Sequence, residues 1–275
     1  MQCSPERENV YHDGSCLNLK EVKEVVKEYN KTVPLANKVS GSKKVDLIGE
    51  LGKRFGDCSD QCWIEQPFIK ANAELYNKLK DKYRPTKPSS WTQGKRVWLT
   101  DVDINRVMTQ YMKKYRDFAF LGVVPIDFRA CHVSSLCNFS VDQPAYTGKR
   151  QFGLILNLDK STGKGTHWVA LYFTLNKASK HYGLCYYDSY GQHMPKEVHE
   201  LAKDVAKSVD DVNFKRMHNP YVHQKKNSEC GVFSMNFIKE CLENNNMTYD
   251  DILSKNIGSD DQMFQMRNYF YSKHF

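Results

Sequence analysis

Gln224-Lys225-Lys226-Asn227-Ser228-Glu229-Cys230-Gly231, continuing as Val232-Phe233-Ser234-Met235-Asn236-Phe237-Ile238-Lys239-Glu240-Cys241-Leu242, sets a polar loop against an apolar run with a cysteine at the junction. Phe233, Phe237, Ile238 and Cys241 recur at helical spacing, and the residues before Cys230 lack that period, so a helix is expected to open at Cys230. A thiol in that place lies over the first-turn N–H groups that have no partner within the helix, and it reacts as thiolate most readily there or beside an imidazolium. Gly231 lets the backbone and a substrate approach closely.

Two strand-like runs upstream hold candidate partners. Gly165-Thr166-His167-Trp168-Val169-Ala170-Leu171-Tyr172-Phe173 carries a histidine, and Leu184-Cys185-Tyr186-Tyr187-Asp188 ends in an aspartate. Neighbouring strands would bring His167 and Asp188 together at one edge of a sheet. Gln224 lies six residues before Cys230, near enough to aim an amide N–H at an oxygen that becomes negative during attack. Each residue has an ordinary reading: a buried thiol, a core histidine, a turn aspartate before Ser189-Tyr190-Gly191. Their occurrence in the order His, Asp, Gln, Cys, each in a fitting local context, favours Cys230 as nucleophile, His167 as base, Asp188 as its orienting group and Gln224 as oxyanion donor.

The pattern His167-Trp168, Tyr187-Asp188-Ser189, and Gln224 followed by Cys230-Gly231 resembles the SUMO-protease and adenovirus-protease clan of cysteine proteases. Within that clan the likeness is nearest to the polyprotein-processing proteases of African swine fever virus and related large DNA viruses. It is carried also by Leu156 to Ala170 and by Pro125-Ile126-Asp127-Phe128, and more faintly by Asp57-Cys58-Ser59-Asp60-Gln61-Cys62 with Pro67. The SUMO proteases use aspartate at the place of Asp188, whereas the swine fever enzyme carries asparagine; either accepts the imidazole hydrogen bond. The resemblance implies a narrow channel walled by Trp168, substrate contacts from Trp168, Asn157 and Gly231, and cleavage after Gly-Gly. It implies processing of viral structural polyproteins during virion maturation, in the host cytoplasm at assembly sites and in the virion. SUMO or ubiquitin-like deconjugation is the nearer alternative, and a basic noncatalytic packaging protein on a protease fold the more distant one. No cofactor or metal is required by this chemistry.

The 275 residues, 40% hydrophobic, are enough to bury a full core. No apolar run is long enough to span a membrane, and the start Met1-Gln2-Cys3-Ser4-Pro5-Glu6-Arg7-Glu8 lacks a signal-peptide pattern, so no membrane partner is expected. Nine cysteines, an odd count without a secretion signal, favour free thiols over a disulfide framework. Cys58, Cys62, Cys131, His132 and Cys137 are too loosely spaced for a zinc site. A formal charge of +8 makes weak nonspecific nucleic-acid binding an expectation, although most lysines alternate with glutamates as in Lys20-Glu21-Val22-Lys23-Glu24.

An N-terminal helical domain is expected over 1–84 and a catalytic core over 85–275, joined at Arg84-Pro85-Thr86-Lys87-Pro88-Ser89-Ser90. Asn18 to Glu21 forms a capping box ahead of an amphipathic helix, and further helices are predicted near 43–55 and 67–83. Thr100 to Asp103 caps a helix carrying Ile104, Val107 and Tyr111. Strands are predicted at 152–156, 167–173 and 181–187 and a helix near 196–208. The fold class is α+β: a central, mostly antiparallel sheet flanked by helices.

Overall fold

The computed structural model describes residues 3–8, 14–56, 58–88, 90–91, 97–143 and 146–272. It separates into two compact units, Met1–Ser89 with Asn268–Phe275, and Ser90–Arg267.

The first unit is helical. α1 (Leu19–Lys31) starts on the predicted capping box, with Asn18 accepting from the Glu21 N–H and Glu21 reaching back to the Asn18 N–H. α2 (Lys44–Phe55), α3 (Asp60–Ile64), α4 (Pro67–Lys70) and α5 (Ala73–Lys80) follow. The helix predicted over 67–83 is thus two pieces, because Asn72 leaves the helical conformation and its side chain caps a new start by accepting from the Leu75 N–H. Buried Asp60 knits the core by accepting from Ser15 Oγ and the Cys16 N–H, each at 2.7 Å. The Pro/Ser stretch begins as anchored chain: Arg84 is buried and donates to the Cys3 carbonyl at 2.9 Å, while Ser272 exchanges backbone hydrogen bonds with Pro85 and Lys87.

Six of the nine cysteines are paired, as Cys3–Cys16, Cys58–Cys62 and Cys131–Cys137, which corrects the expectation of free thiols. Local folding brings each pair to 5.0–5.7 Å between Cα atoms, inside the bonding range. The odd count was uninformative, since Cys185, Cys230 and Cys241 stay free, all buried.

The second unit carries a five-stranded sheet in sequence order, β1 (Phe118–Pro125), β2 (Gln151–Asn157), β3 (Trp168–Thr174), β4 (Gly183–Tyr187) and β5 (Lys215–His218). The two central pairs are antiparallel and the two outer pairs parallel, so the sheet is mixed. β2, β3 and β4 are buried throughout because both faces are covered. Phe152, Leu154, Val169, Leu171 and Leu184 share a core with α7 (Lys196–Val209). The opposite face takes α8 (Cys230–Glu243), whose Phe237 stacks on Tyr187 at 4.7 Å between ring centroids. α6 (Asp101–Lys114) packs on β1, and α9 (Tyr249–Lys255) and α10 (Asp260–Phe270) complete the described helices. No helix among the described residues is long and apolar enough to cross a membrane.

Candidate active site

The sheet itself brings the candidate residues together. His167 immediately precedes β3 and Asp188 immediately follows β4, and the antiparallel register pairing Ala170 with Tyr187 puts both at one end of the sheet. α8 begins at Cys230 on the face above that end, where Ser234 Oγ donates to the Trp168 carbonyl at 3.2 Å. The thiol is only 2% exposed.

His167 Nε2 donates to Asp188 Oδ1 at 2.9 Å, which leaves Nδ1 as the nitrogen available to the thiol. Burial acts to lower the imidazole pKa. The hydrogen bonds to Asp188 and Cys230, with the charges of both, outweigh it and raise the value from 6.5 to about 9. Asp188 is 1% exposed, and its Oδ1 also accepts the Tyr190 N–H at 2.8 Å. The Tyr190 ring stacks on the imidazole at 4.9 Å, so His167 is gripped by its edge and by its face. Charge that forms on this ring is therefore stabilised in a fixed orientation.

Gln224 lies in a pinned loop. Its N–H and that of His223 both donate to the Ser189 carbonyl at 2.9 Å, and the N–H groups of Lys225 and Lys226 donate to the Asp260 carboxylate. His223 Nε2 donates to the Leu253 carbonyl at 2.9 Å, so Nδ1 must accept from the Tyr187 hydroxyl at 3.2 Å. Burial lowers the pKa of His223, in keeping with a neutral ring in that role. At the N-terminal edge of α8, Arg267 Nε meets Glu229 Oε2 at 2.7 Å, both side chains buried.

Trp168 is 8% exposed, and its indole N–H donates to the Leu99 carbonyl at 3.0 Å. Gly231 packs beneath it: an added Cβ would stand 3.1 Å from Leu99 Cδ1 and 3.2 Å from Trp168 Cδ1. The glycine therefore makes room for the tryptophan wall. A cavity of about 520 Å³ opens along that wall, lined among others by Trp98, Leu99, Val123, Val133, Asn157 and Trp168. Asn157 spends its side-chain oxygen on the N–H groups of Asp159 and Thr166, at 2.9 and 3.0 Å, and so shapes the loop at the cavity rim.

His167, Asp188, Gln224 and Cys230 thus converge, with Trp168 and Gly231 packed beside them. Ser189 entered the sequence reading only as part of the Tyr187-Asp188-Ser189 pattern, with no role of its own, and neither Tyr190 nor the Glu229–Arg267 pair was given one. The only local signal was that Ser189 and Tyr190 directly follow Asp188. A thiol at a helix start, a gripped imidazole and a fixed amide can together run acyl transfer through a thioester.

Residues 154–273 match the family described as Ulp1 protease family, C-terminal catalytic domain. A protein of Acanthamoeba polyphaga mimivirus, named as a putative thiol protease, is 30% identical over 98% of this chain and 92% of its own length. The SUMO-1 cysteine protease of African swine fever virus, isolate Pig/Kenya/KEN-50/1950, is 26% identical over 84% of this chain and 90% of its own. The crystal structure of the African swine fever virus protease shares the fold, with a TM-score of 0.71 at 20% identity over 100% of this chain and 96% of that one. With one relative matching nearly end to end and the family's catalytic domain spanning the convergent residues, this chain belongs to the Ulp1 protease family and is a cysteine endopeptidase.

Proposed function

We propose that the enzyme processes viral structural polyproteins at Gly-Gly-Xaa sites during virion maturation, acting in the host cytoplasm and in the virion. The thiol proton resides on His167, so that Cys230 attacks the scissile carbonyl as thiolate, and His167 then gives that proton to the leaving amine. Asp188 orients the imidazole, and the Gln224 amide with the Cys230 backbone N–H receives the developing oxyanion. The carrying observation is the wall beside the thiol. Trp168 packs against Gly231, the neighbour of Cys230, and is tied to the Leu99 carbonyl, and this supports the reading in which it walls a channel for residues without side chains. Protease relatives from two viruses, matched along 98% and 84% of this chain, support a viral setting for the reaction.

A Gly-Gly-Xaa peptide library with the purified enzyme tests this. Cleavage confined to peptides with glycine on both positions before the scissile bond, and absent with Cys230→Ser, is expected; efficient cleavage after bulky residues would refute it. A second reading, removal of SUMO-like modifiers, is favoured by the name of the swine fever relative. It predicts that a folded ubiquitin-like substrate is cut while short peptides are not.

The pH profile gives a further expectation. Because the His167 pKa is raised to about 9, its proton is held below that value and lost above it, so kcat/KM should fall as pH rises through about 9. Asp188 contributes to the upward shift. In Asp188→Asn the alkaline limb should move to lower pH, and an unmoved limb would remove Asp188 from the charge network.

A further inference from the structure

We propose that Ser189 is a positioning residue that fixes the orientation of the oxyanion amide, so that the dipeptide Asp188-Ser189 aligns both the base and the oxyanion donor. The inference rests on the assignment of Gln224 as that donor. A glutamine amide has two chemically different ends and a soft terminal torsion, so its hydrogen bonds must decide which end faces the reaction. Here Ser189 Oγ donates to Gln224 Oε1 at 2.7 Å, and Gln224 Nε2 donates to the Lys226 carbonyl at 2.5 Å. A carbonyl only accepts, so the Lys226 contact identifies the nitrogen end without ambiguity. The flipped amide would set two oxygens against each other. One N–H of the amide nitrogen is then held by Lys226 and the other is left for the oxyanion.

Both side chains are 1% exposed, so water does not compete for these contacts. The surrounding bonds hold Ser189 itself in place. Its carbonyl accepts the His223 and Gln224 N–H groups at 2.9 Å, and Asn219 Nδ2 donates to the Asp188 carbonyl at 2.6 Å. Tyr190, next in the chain, stacks on His167 and donates its hydroxyl to the same Lys226 carbonyl at 3.0 Å. Three consecutive residues therefore reach the imidazole edge, the amide oxygen and the carbonyl that holds the amide nitrogen. Loss of the Ser189 hydroxyl would free the amide to rotate without removing it.

The test is steady-state kinetics of Ser189→Ala, Ser189→Thr, Gln224→Ala and the Ser189→Ala/Gln224→Ala double variant, on a peptidyl Gly-Gly-aminomethylcoumarin substrate. Thermal melting of each variant is measured alongside. Gln224→Ala should lower kcat by about 100- to 1000-fold. Ser189→Ala should lower it by about tenfold, with KM within twofold, as a misplaced donor costs part of an absent one. Ser189→Thr, which keeps the hydroxyl, should restore most of the rate, and Ser189→Ala should add nothing in the Gln224→Ala background. An equal loss in both backgrounds, or no loss from Ser189→Ala while Gln224→Ala is slow, overturns the proposal and leaves the oxyanion assignment standing. No loss from Gln224→Ala overturns the oxyanion assignment and the inference with it. The Gln224 side-chain amide NMR pair, assigned by its disappearance in Gln224→Ala, provides a readout independent of turnover. A resolved, exchange-protected pair in the wild-type enzyme is expected; an averaged, rapidly exchanging pair overturns the proposal even if Ser189→Ala fails to fold.

Discussion

Cys230→Ala is expected to yield a folded protein whose kcat has fallen by a factor on the order of 10⁶, the scale at which loss of a nucleophile disables a hydrolytic triad. The substitution removes one sulfur from a buried helix start and introduces no charge, and alanine suits helical structure. Thermal unfolding should therefore move by only a few degrees while turnover vanishes. His167→Ala should be nearly as severe, and the double variant no worse than either, because thiol and imidazole act as one unit whose losses do not add. Peptide turnover with active-site titration checks the set. Residual kcat within tenfold of wild type in Cys230→Ala would mean that another group carries the attack, and additive losses in the double variant would separate the two residues.

The residues behind that expectation were legible in the chain because their determinants are local. The helix start at Cys230 follows from a change of hydrophobic period, and the capping boxes at Asn18 and Thr100 follow from side chains three residues apart; both boxes form as read. What escaped depended on partners distant in sequence. β1 is interrupted where its register shifts between Phe120 and Val123, and Gly122 there adopts φ 107°, which breaks the alternation a strand normally displays. β5 is a short edge strand whose Lys215 and Arg216 are exposed, so its composition is that of a loop. The sheet is mixed because these two edges run parallel to their neighbours, a relation that strand composition does not encode. The cysteine pairing escaped for a related reason: spacing allows a bridge, and only the folded approach of Cα atoms decides it. Ser189 belongs to the Tyr187-Asp188-Ser189 pattern, but nothing in that pattern says what its hydroxyl holds. Its relation to Gln224 exists only because the loop after β5 returns to the end of β4.

Arg267→Ala should be the most destabilising change among the charged residues around α8. The guanidinium donates to Glu229 Oε2 at 2.7 Å and to the Ser228 carbonyl at 3.3 Å, and lies 4.6 Å from the centre of the Trp91 ring. Side-chain exposures of 5% for Arg267 and 0% for Glu229 place the pair away from water, where removing the cation leaves a carboxylate that solvent does not reach. Breaking such a pair costs about 3–5 kcal/mol. At roughly 2–4 °C per kcal/mol for a unit of this size, the melting temperature should drop on the order of 10 °C. Arg267→Met with Glu229→Leu should recover much of the loss, since apolar residues of similar volume can replace a buried pair at little cost. Calorimetry of the single and double variants separates the explanations: a loss below about 1 kcal/mol in Arg267→Ala, the scale of a surface pair, would show that the pair does not hold this junction. Activity should follow stability in part, because Ser228 and Glu229 deliver the chain into Cys230, whose thiol and backbone N–H are the proposed nucleophile and oxyanion donor. The arginine then acts on the reaction through the position of the helix start, a role that Arg267→Lys should fill poorly because one ammonium cannot reproduce the planar guanidinium's bonds and ring stacking together.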